Sequence, residues 1–226
     1  SEMCIRDRLQ VNAFEFFCNN SLSRVVGAHR YQRPFDTESP FYALVELENT
    51  EIETETVFEV YSKCVDEKLI TDGVISQSID QARALWRLRE DISETLWHFQ
   101  PYKNDISVRI SKMADFLNDV SQLIQKNYPD FEIIWYGHIG DGNIHLNILK
   151  PKNLSTLQFK SFCDGVSMSL GELISKYEGS ISAEHGVGLL KKESLRFSRS
   201  EDEINLMKSI KKIFDPNAIL NPGKLI

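Results

Sequence analysis

The chain has 226 residues, 42% apolar and 26% charged, with a formal net charge of −7. That balance is ordinary for a globular protein, and the acidic excess argues against nucleic acid or an anionic membrane as its main partner. No run of about 18 apolar residues occurs, so no transmembrane helix is expected.

The opening octad, SEMCIRDR, fits neither a helix start nor a strand. It begins without an initiator Met and shows no basic-then-apolar leader. These observations lead to the expectation of a fragment whose upstream part is lost, with residues 1–8 as candidates for non-native sequence. The apolar run 11–17 follows, and Pro34, Pro40 and their polar neighbours suit an irregular loop. Residues 1–40 are therefore read as an N-terminal connector.

Residues 42–48 alternate in strand fashion, 51–67 read as a helix and 73–77 as a second strand. The stretch 78–99 is read as one long helix, with Ala82, Leu85, Leu88 and Ile92 at helical spacing. A strand is expected at 105–110, then Ser111 as the N-cap of a helix reaching about residue 127. A hairpin over 131–149, a helix over 156–177, a short strand at 179–183 and a final helix over 201–214 complete the series. A tight hairpin among strands separated by helices points to an α+β fold, with ferredoxin-like βαβ halves sharing an antiparallel sheet. With no linker evident after residue 41, the reading is one compact domain over 41–226.

The segment WYGHIGDGNIHLNILK, residues 135–150, carries two of only five histidines. Asp141 and Gly142 signal a two-residue type I′ turn, which needs positive φ at both positions. In that register Gly140 faces Asn143, Ile139 faces Ile144 and His138 faces His145. Opposed Cβ atoms lie about 4.5–5.5 Å apart, close enough for two imidazoles to grip one cation. Tyr136, His138, His145 and Asn147 share one face, while Asp141 is assigned to the turn. A plain polar sheet face is the alternative.

A third ligand must come from elsewhere, and SAEHGVG, residues 182–188, offers a carboxylate and another histidine between small residues. Adjacent strand residues point to opposite faces. Glu184 is therefore expected to complete the metal site while His185 stands beside it to move a proton. A surface Glu-His pair is the alternative here. Arg89 and Ser93, one helical turn apart, suit a carboxylate ligand, and Lys103 adds a second cation; a solvated or ion-paired helix face explains them too. The tail IFDPNAILNPGKLI is rich in turn formers. His29 and His98 receive no role. Cys4, Cys18, Cys64 and Cys163 lack any Cys-x-x-Cys spacing and read as free thiols of a reducing cytoplasm.

Three motifs, GHIGDGNIH, AEHGVGLLK and DPNAILNPGK, occur in this order, preceded by AFEF at residue 13. Together they resemble the C-terminal, FAD-linked oxidase domain of the D-2-hydroxyacid dehydrogenases. That family includes D-2-hydroxyglutarate dehydrogenases, flavin-dependent D-lactate dehydrogenases and glycolate oxidase subunits. The resemblance implies a substrate-binding cap domain of ferredoxin-like α+β build, with FAD bound mainly by an upstream domain. Nothing in these residues resembles a flavin pyrophosphate loop.

The resemblance also implies zinc on His138, His145 and Glu184, with His185 as the base. Arg89, Ser93, Lys103 and Asn147 become the substrate-binding residues, and Asn221 becomes a cofactor contact. Ser93 stands where the hydroxyglutarate-oxidising members have threonine, and the step from Ser93 to Lys103 is shorter than theirs. The implied partners are a small D-2-hydroxy acid and an electron acceptor such as an electron-transfer flavoprotein or a quinone. A homodimer is compatible with the resemblance. A cytoplasmic location is expected, with membrane contact only through the acceptor. A zinc hydrolase and a non-catalytic metal-binding domain are the rival classes.

Overall fold

A computed structural model of the chain describes residues 10–48 and 51–226, excepting the side chains of 51–54. Residues 1–8 and Cys4, for which sequence expectations were formed, lie outside the described residues. The chain divides into two compact units, Ser1–Pro101 with Ile134–Asp141, and Tyr102–Ile133 with Gly142–Ile226.

In the first unit, strand β1 (Val11–Cys18) pairs antiparallel with β2 (Phe41–Leu47) and with β4 (Glu132–His138). Phe16 and Phe17, adjacent and so on opposite faces, are both buried, which covers the end of this aromatic-rich strand on both sides. Helix α1 (Asn19–His29) follows β1 directly and ends where Arg30 turns left-handed. Leu22 and Val25 of α1 pack in a core with Leu88, Ile92 and Leu96. Residues 11–29, read from sequence as part of a connector, thus supply a strand and a helix to this unit.

Helix α2 spans Glu51–Asp66. Residues 73–77 form no strand, a correction to the expectation: a Cβ on Gly73 would lie 2.8 Å from the Tyr61 ring, and this segment takes part in no ladder. The expected single helix over 78–99 is two helices, α3 (Ile79–Glu90) and α4 (Ile92–Trp97). Ser78 caps α3 by accepting from the Gln81 amide. The interruption falls at Asp91, whose carboxylate accepts from the Tyr31 hydroxyl at 2.7 Å. There ψ rises to −1° at a φ of −77°, though the Asp91 N–H still donates to Arg87 O at 3.1 Å and the Thr95 N–H to Asp91 O at 3.0 Å.

In the second unit, β3 (Tyr102–Ser107) pairs antiparallel with β5 (Asn143–Leu149). The strand expected at 105–110 therefore starts earlier and stops at Ser107. A 3-10 turn, Ile110–Lys112, separates it from α5 (Met113–Asn127), so Ser111 lies in that turn and Lys112 occupies the cap position. Helix α6 (Thr156–Lys176) opens with a reciprocal capping box of Ser155 and Gln158. Helix α7 (Glu201–Phe214) does the same with Ser200 and Glu203. Phe116, Val120 and Ile124 of α5, Val166, Leu170 and Ile174 of α6, and Ile144, Leu146 and Ile148 of β5 are all buried. These three β5 residues share one face, and His145 and Asn147 on the other are buried too, so the strand is covered on both sides. The strand expected at 179–183 is reduced to an isolated bridge between Ser107 and Ser180. The α+β class holds, and the β1–β2, β1–β4 and β3–β5 ladders are all antiparallel.

The hairpin turn differs from its expectation. Strand β4 ends at His138 and β5 begins at Asn143, so 139–142 form a four-residue turn. Of Asp141 and Gly142 only Gly142 has positive φ, which excludes type I′. The glycines are claimed by different neighbours. Gly140 N–H donates to Phe14 O at 3.2 Å, and Gly142 O accepts from Val108 N–H at 3.1 Å. Ile139 and Gly140 consequently belong to the turn and not to a ladder.

Gly142, with φ of 80°, would bring a Cβ within 2.2 Å of Val108 O, against backbone and not a side chain that can swing away. A Gly142→Ala variant is expected to lose on the order of 3 kcal/mol, measured by denaturant unfolding. A midpoint equal to wild type would show that the turn relaxes freely.

Candidate active site

The β3–β5 register sets the first layer of chemistry. Asp105 lies directly across from His145, and Lys103 across from Asn147. Residues two apart share a face, so all four side chains lie on one side of this ladder. Asp105, His145 and Asn147 are buried, whereas Lys103 is exposed.

Asp105 is the organising group. Its Oδ2 accepts from three consecutive amides, Ala183 at 3.1 Å, Glu184 at 3.0 Å and His185 at 2.8 Å. The Ser182 hydroxyl donates to the same oxygen at 3.2 Å. Residues 182–185 thus bend around one carboxylate oxygen, which answers the strand-geometry objection to using Glu184 and His185 together. Burial pushes the Asp105 pKa up, but the His185 and Glu184 amides and the nearby His185 and Lys191 charges outweigh it, so the carboxyl titrates below its ordinary value. A depressed folded pKa means that its stabilisation is present above the usual carboxylate range and lost as pH falls through the folded value.

Lys191 braces the same turn from behind, its Nζ donating to Ile181 O at 2.9 Å and Asp105 O at 3.3 Å. Burial lowers the pKa of Lys191, with the Asp105 charge opposing the shift. The tail reaches this loop as well, because Leu225 N–H donates to Gly188 O at 2.9 Å.

The bend brings Asp105, His145, Glu184 and His185 together, with one ligand atom from each lying within 4.8 Å of the others. Glu184 Oε1 is 3.4 Å from His145 Nε2 and also 3.4 Å from His185 Nε2. The two imidazoles stack at 5.5 Å, 12° from parallel. Donors about 2.0–2.1 Å from a tetrahedral zinc stand roughly 3.4 Å apart, so the spacing of this nitrogen and oxygen set fits a divalent ion.

His138 lies in the first unit. It sits across the ladder from Glu15, whose Oε1 is 2.7 Å from His138 Nδ1. Glu15 Oε2 is 2.8 Å from Arg89 Nη2, and both side chains are buried. The Arg89 guanidinium also lies 4.8 Å over the Tyr136 ring. Ser93 stands exposed on α4, beyond the Asp91 interruption, so Arg89 and Ser93 do not share one continuous helix. Asn221 is exposed in the C-terminal turn at φ of 46°, its Oδ1 accepting from Lys224 Nζ at 3.2 Å. Asp215 anchors that turn through the Ile219 and Leu220 amides.

Comparison with known proteins identifies the lineage. The sequence matches the family described as FAD linked oxidases, C-terminal domain, over residues 2–225. The chain belongs to this family. It is 49% identical over 221 residues to a D-2-hydroxyglutarate dehydrogenase of Stutzerimonas stutzeri, covering 97% of this chain and 48% of that protein. A protein of the same name from Xanthomonas citri pv. viticola is 47% identical, with 97% and 47% covered. The mitochondrial D-2-hydroxyglutarate dehydrogenase of Arabidopsis thaliana is 36% identical, with 96% and 38% covered. The chain therefore spans about half the length, or less, of these relatives.

A solved 4-ethylphenol oxidase of Gulosibacter chungangensis, in complex with isoeugenol, shares the fold with a TM-score of 0.57 at 15% identity. That match covers 94% of this chain and 47% of the oxidase. No helix among the described residues is long and apolar enough to cross a membrane.

Three groups escaped the sequence reading: Asp105, Glu15 and Lys191. Each looked like an ordinary charge in a strand or motif; only Glu15, set between Phe14 and Phe16, carried a visible hint in its apolar surroundings.

The buried Glu15–Arg89 pair yields a stability prediction. Glu15→Gln keeps the volume but leaves the guanidinium uncompensated, which is expected to cost about 3–5 kcal/mol. A Glu15→Leu/Arg89→Met double variant, with both charges removed, is expected to recover most of that loss in denaturant melts. Additive losses in the double variant would contradict the pairing.

Proposed function

We propose that the protein oxidises a D-2-hydroxy acid to the 2-oxo acid with FAD and a divalent metal, and that this chain supplies substrate and metal groups. The observation that carries the reading is the convergence of His145 Nε2, His185 Nε2 and Glu184 Oε1, at 3.4 Å for each nitrogen–oxygen pair, in a member of the FAD-linked oxidase family. The two relatives at 49% and 47% identity make D-2-hydroxyglutarate the first substrate to test.

His145 and Glu184 are the metal ligands in this proposal, and His138, in the other unit, enters it only through the family resemblance. Zinc is the preferred ion, because imidazole and carboxylate are among its usual donors. A metal held there supplies Lewis acidity toward the substrate oxygens. Bound FAD supplies the hydride acceptor, and its pyrophosphate site is assigned to residues outside this chain, with Asn221 as a contact.

His185 accepts the proton of the α-hydroxyl. An imidazole is the commonest general base, and the His185 Nε2 stands beside Glu184 Oε1. Lys103 and Asn147, across from each other on the ladder, hold the substrate carboxylate and fix Cα in place. Arg89 and Ser93 join them on the resemblance. The electron acceptor is proposed to be an electron-transfer flavoprotein or a quinone.

The test uses the full-length protein, following flavin bleaching with D-2-hydroxyglutarate, D-lactate and glycolate. His185→Ala is expected to slow bleaching by about 10²- to 10⁴-fold while flavin content stays unchanged. Bleaching at the wild-type rate would remove His185 as the base. No bleaching of the wild-type enzyme by any 2-hydroxy acid would overturn the reaction itself.

A further inference from the structure

We infer that Asp105 is the positioning residue of this site, building the Glu184–His185 pair through the backbone and setting the orientation of His145. The inference deepens the proposed function and rests on it for the role of the metal. Its geometric basis stands apart from any ion.

Three successive amides aimed at one oxygen are a strong constraint on a loop. An amide hydrogen bond to an ionised acceptor contributes roughly twice that of a neutral pair. Oδ2 takes all three, with the Ser182 hydroxyl as a fourth donor. The φ and ψ angles of 183–185 are thereby fixed from the sheet side, and the Cα–Cβ directions of Glu184 and His185 follow. The second oxygen serves another purpose. Oδ1 is buried, has no hydrogen-bond partner, and faces His145 Nδ1 at 3.8 Å, an ion-pair distance beyond hydrogen-bond reach. An acceptor on that flank favours the proton on Nδ1 and leaves the lone pair on Nε2, which is the atom facing Glu184.

One buried carboxylate therefore links β3, β5 and the 182–185 loop, each supplying one part of the site. No other residue type does both jobs. Asparagine presents one acceptor oxygen and one donor nitrogen, so satisfying the loop turns an N–H₂ toward His145 and inverts its tautomer preference. Glutamate adds a methylene to a position that is 2% exposed.

The test compares full-length wild type with Asp105→Asn, Asp105→Glu and Ser182→Ala. Divalent-metal affinity is measured by titrating Zn²⁺ against a chromophoric chelator, alongside unfolding midpoints and flavin reduction. Asp105→Asn is expected to weaken Zn²⁺ binding by about 10- to 100-fold, with no rescue by Asp105→Glu, while Ser182→Ala, which removes one of four donors to Oδ2 and keeps the three amides, weakens it by less. Unchanged Zn²⁺ affinity in a folded Asp105→Asn protein would overturn the inference.

Amide exchange in the wild-type protein covers the case of variants that do not fold. The amides of Ala183, Glu184 and His185 are expected to exchange far more slowly than those of neighbouring loop residues. Exchange at loop rates would overturn the inference without any variant. Wild type that binds no Zn²⁺ yet protects these three amides would sink the metal reading alone and leave the positioning of the loop standing.

Discussion

A single carboxylate oxygen holding three consecutive amides is the interaction on which this site depends. Without Asp105, the SAEHGVG segment is a glycine-containing loop, and two adjacent side chains have no reason to face one neighbour. With it, the loop is wrapped against the β3–β5 ladder, and Glu184 and His185 both meet His145. The cost of burying the charge is offset by three amides and a hydroxyl on Oδ2, with an imidazole 3.8 Å from Oδ1 and Lys191 braced on the same strand.

The same device recurs in the first unit. His138 faces Glu15 across the β1–β4 ladder much as His145 faces Asp105 across β3–β5. In each case the acidic group approaches Nδ1, which leaves Nε2 as the nitrogen for a ligand. Glu15 differs in its second partner. It binds a buried guanidinium and not a loop, so its charge is balanced by Arg89, while Asp105 is balanced by amide dipoles and more distant cations.

The legible parts of the sequence were those with strictly local causes. Helix 201–214 is legible with its final boundaries: its end falls before Pro216, and the structure shows a Ser200–Glu203 capping box at its start. The helix expected over 156–177 is found at Thr156–Lys176, opened by its own local capping box. The break at Asp91 was not legible, since it is tied to Tyr31, sixty residues away in sequence. The turn at Asp141 and Gly142 was misread as type I′ because its glycines answer to Phe14 and Val108, not to each other. For the site, the motif histidines and Glu184 stood out by composition. Asp105 and Glu15 did not, because a carboxylate in a strand shows its role only when the register reveals what it faces.

The divalent metal proposed at His145 and Glu184, beside His185, is open to direct observation. Anomalous diffraction at the zinc edge, from crystals of the full-length protein grown with Zn²⁺, tests it most directly. One strong peak is expected about 2.0–2.2 Å from both His145 Nε2 and a Glu184 carboxylate oxygen. A fully occupied peak elsewhere, with these two side chains making no bond to metal, would contradict it.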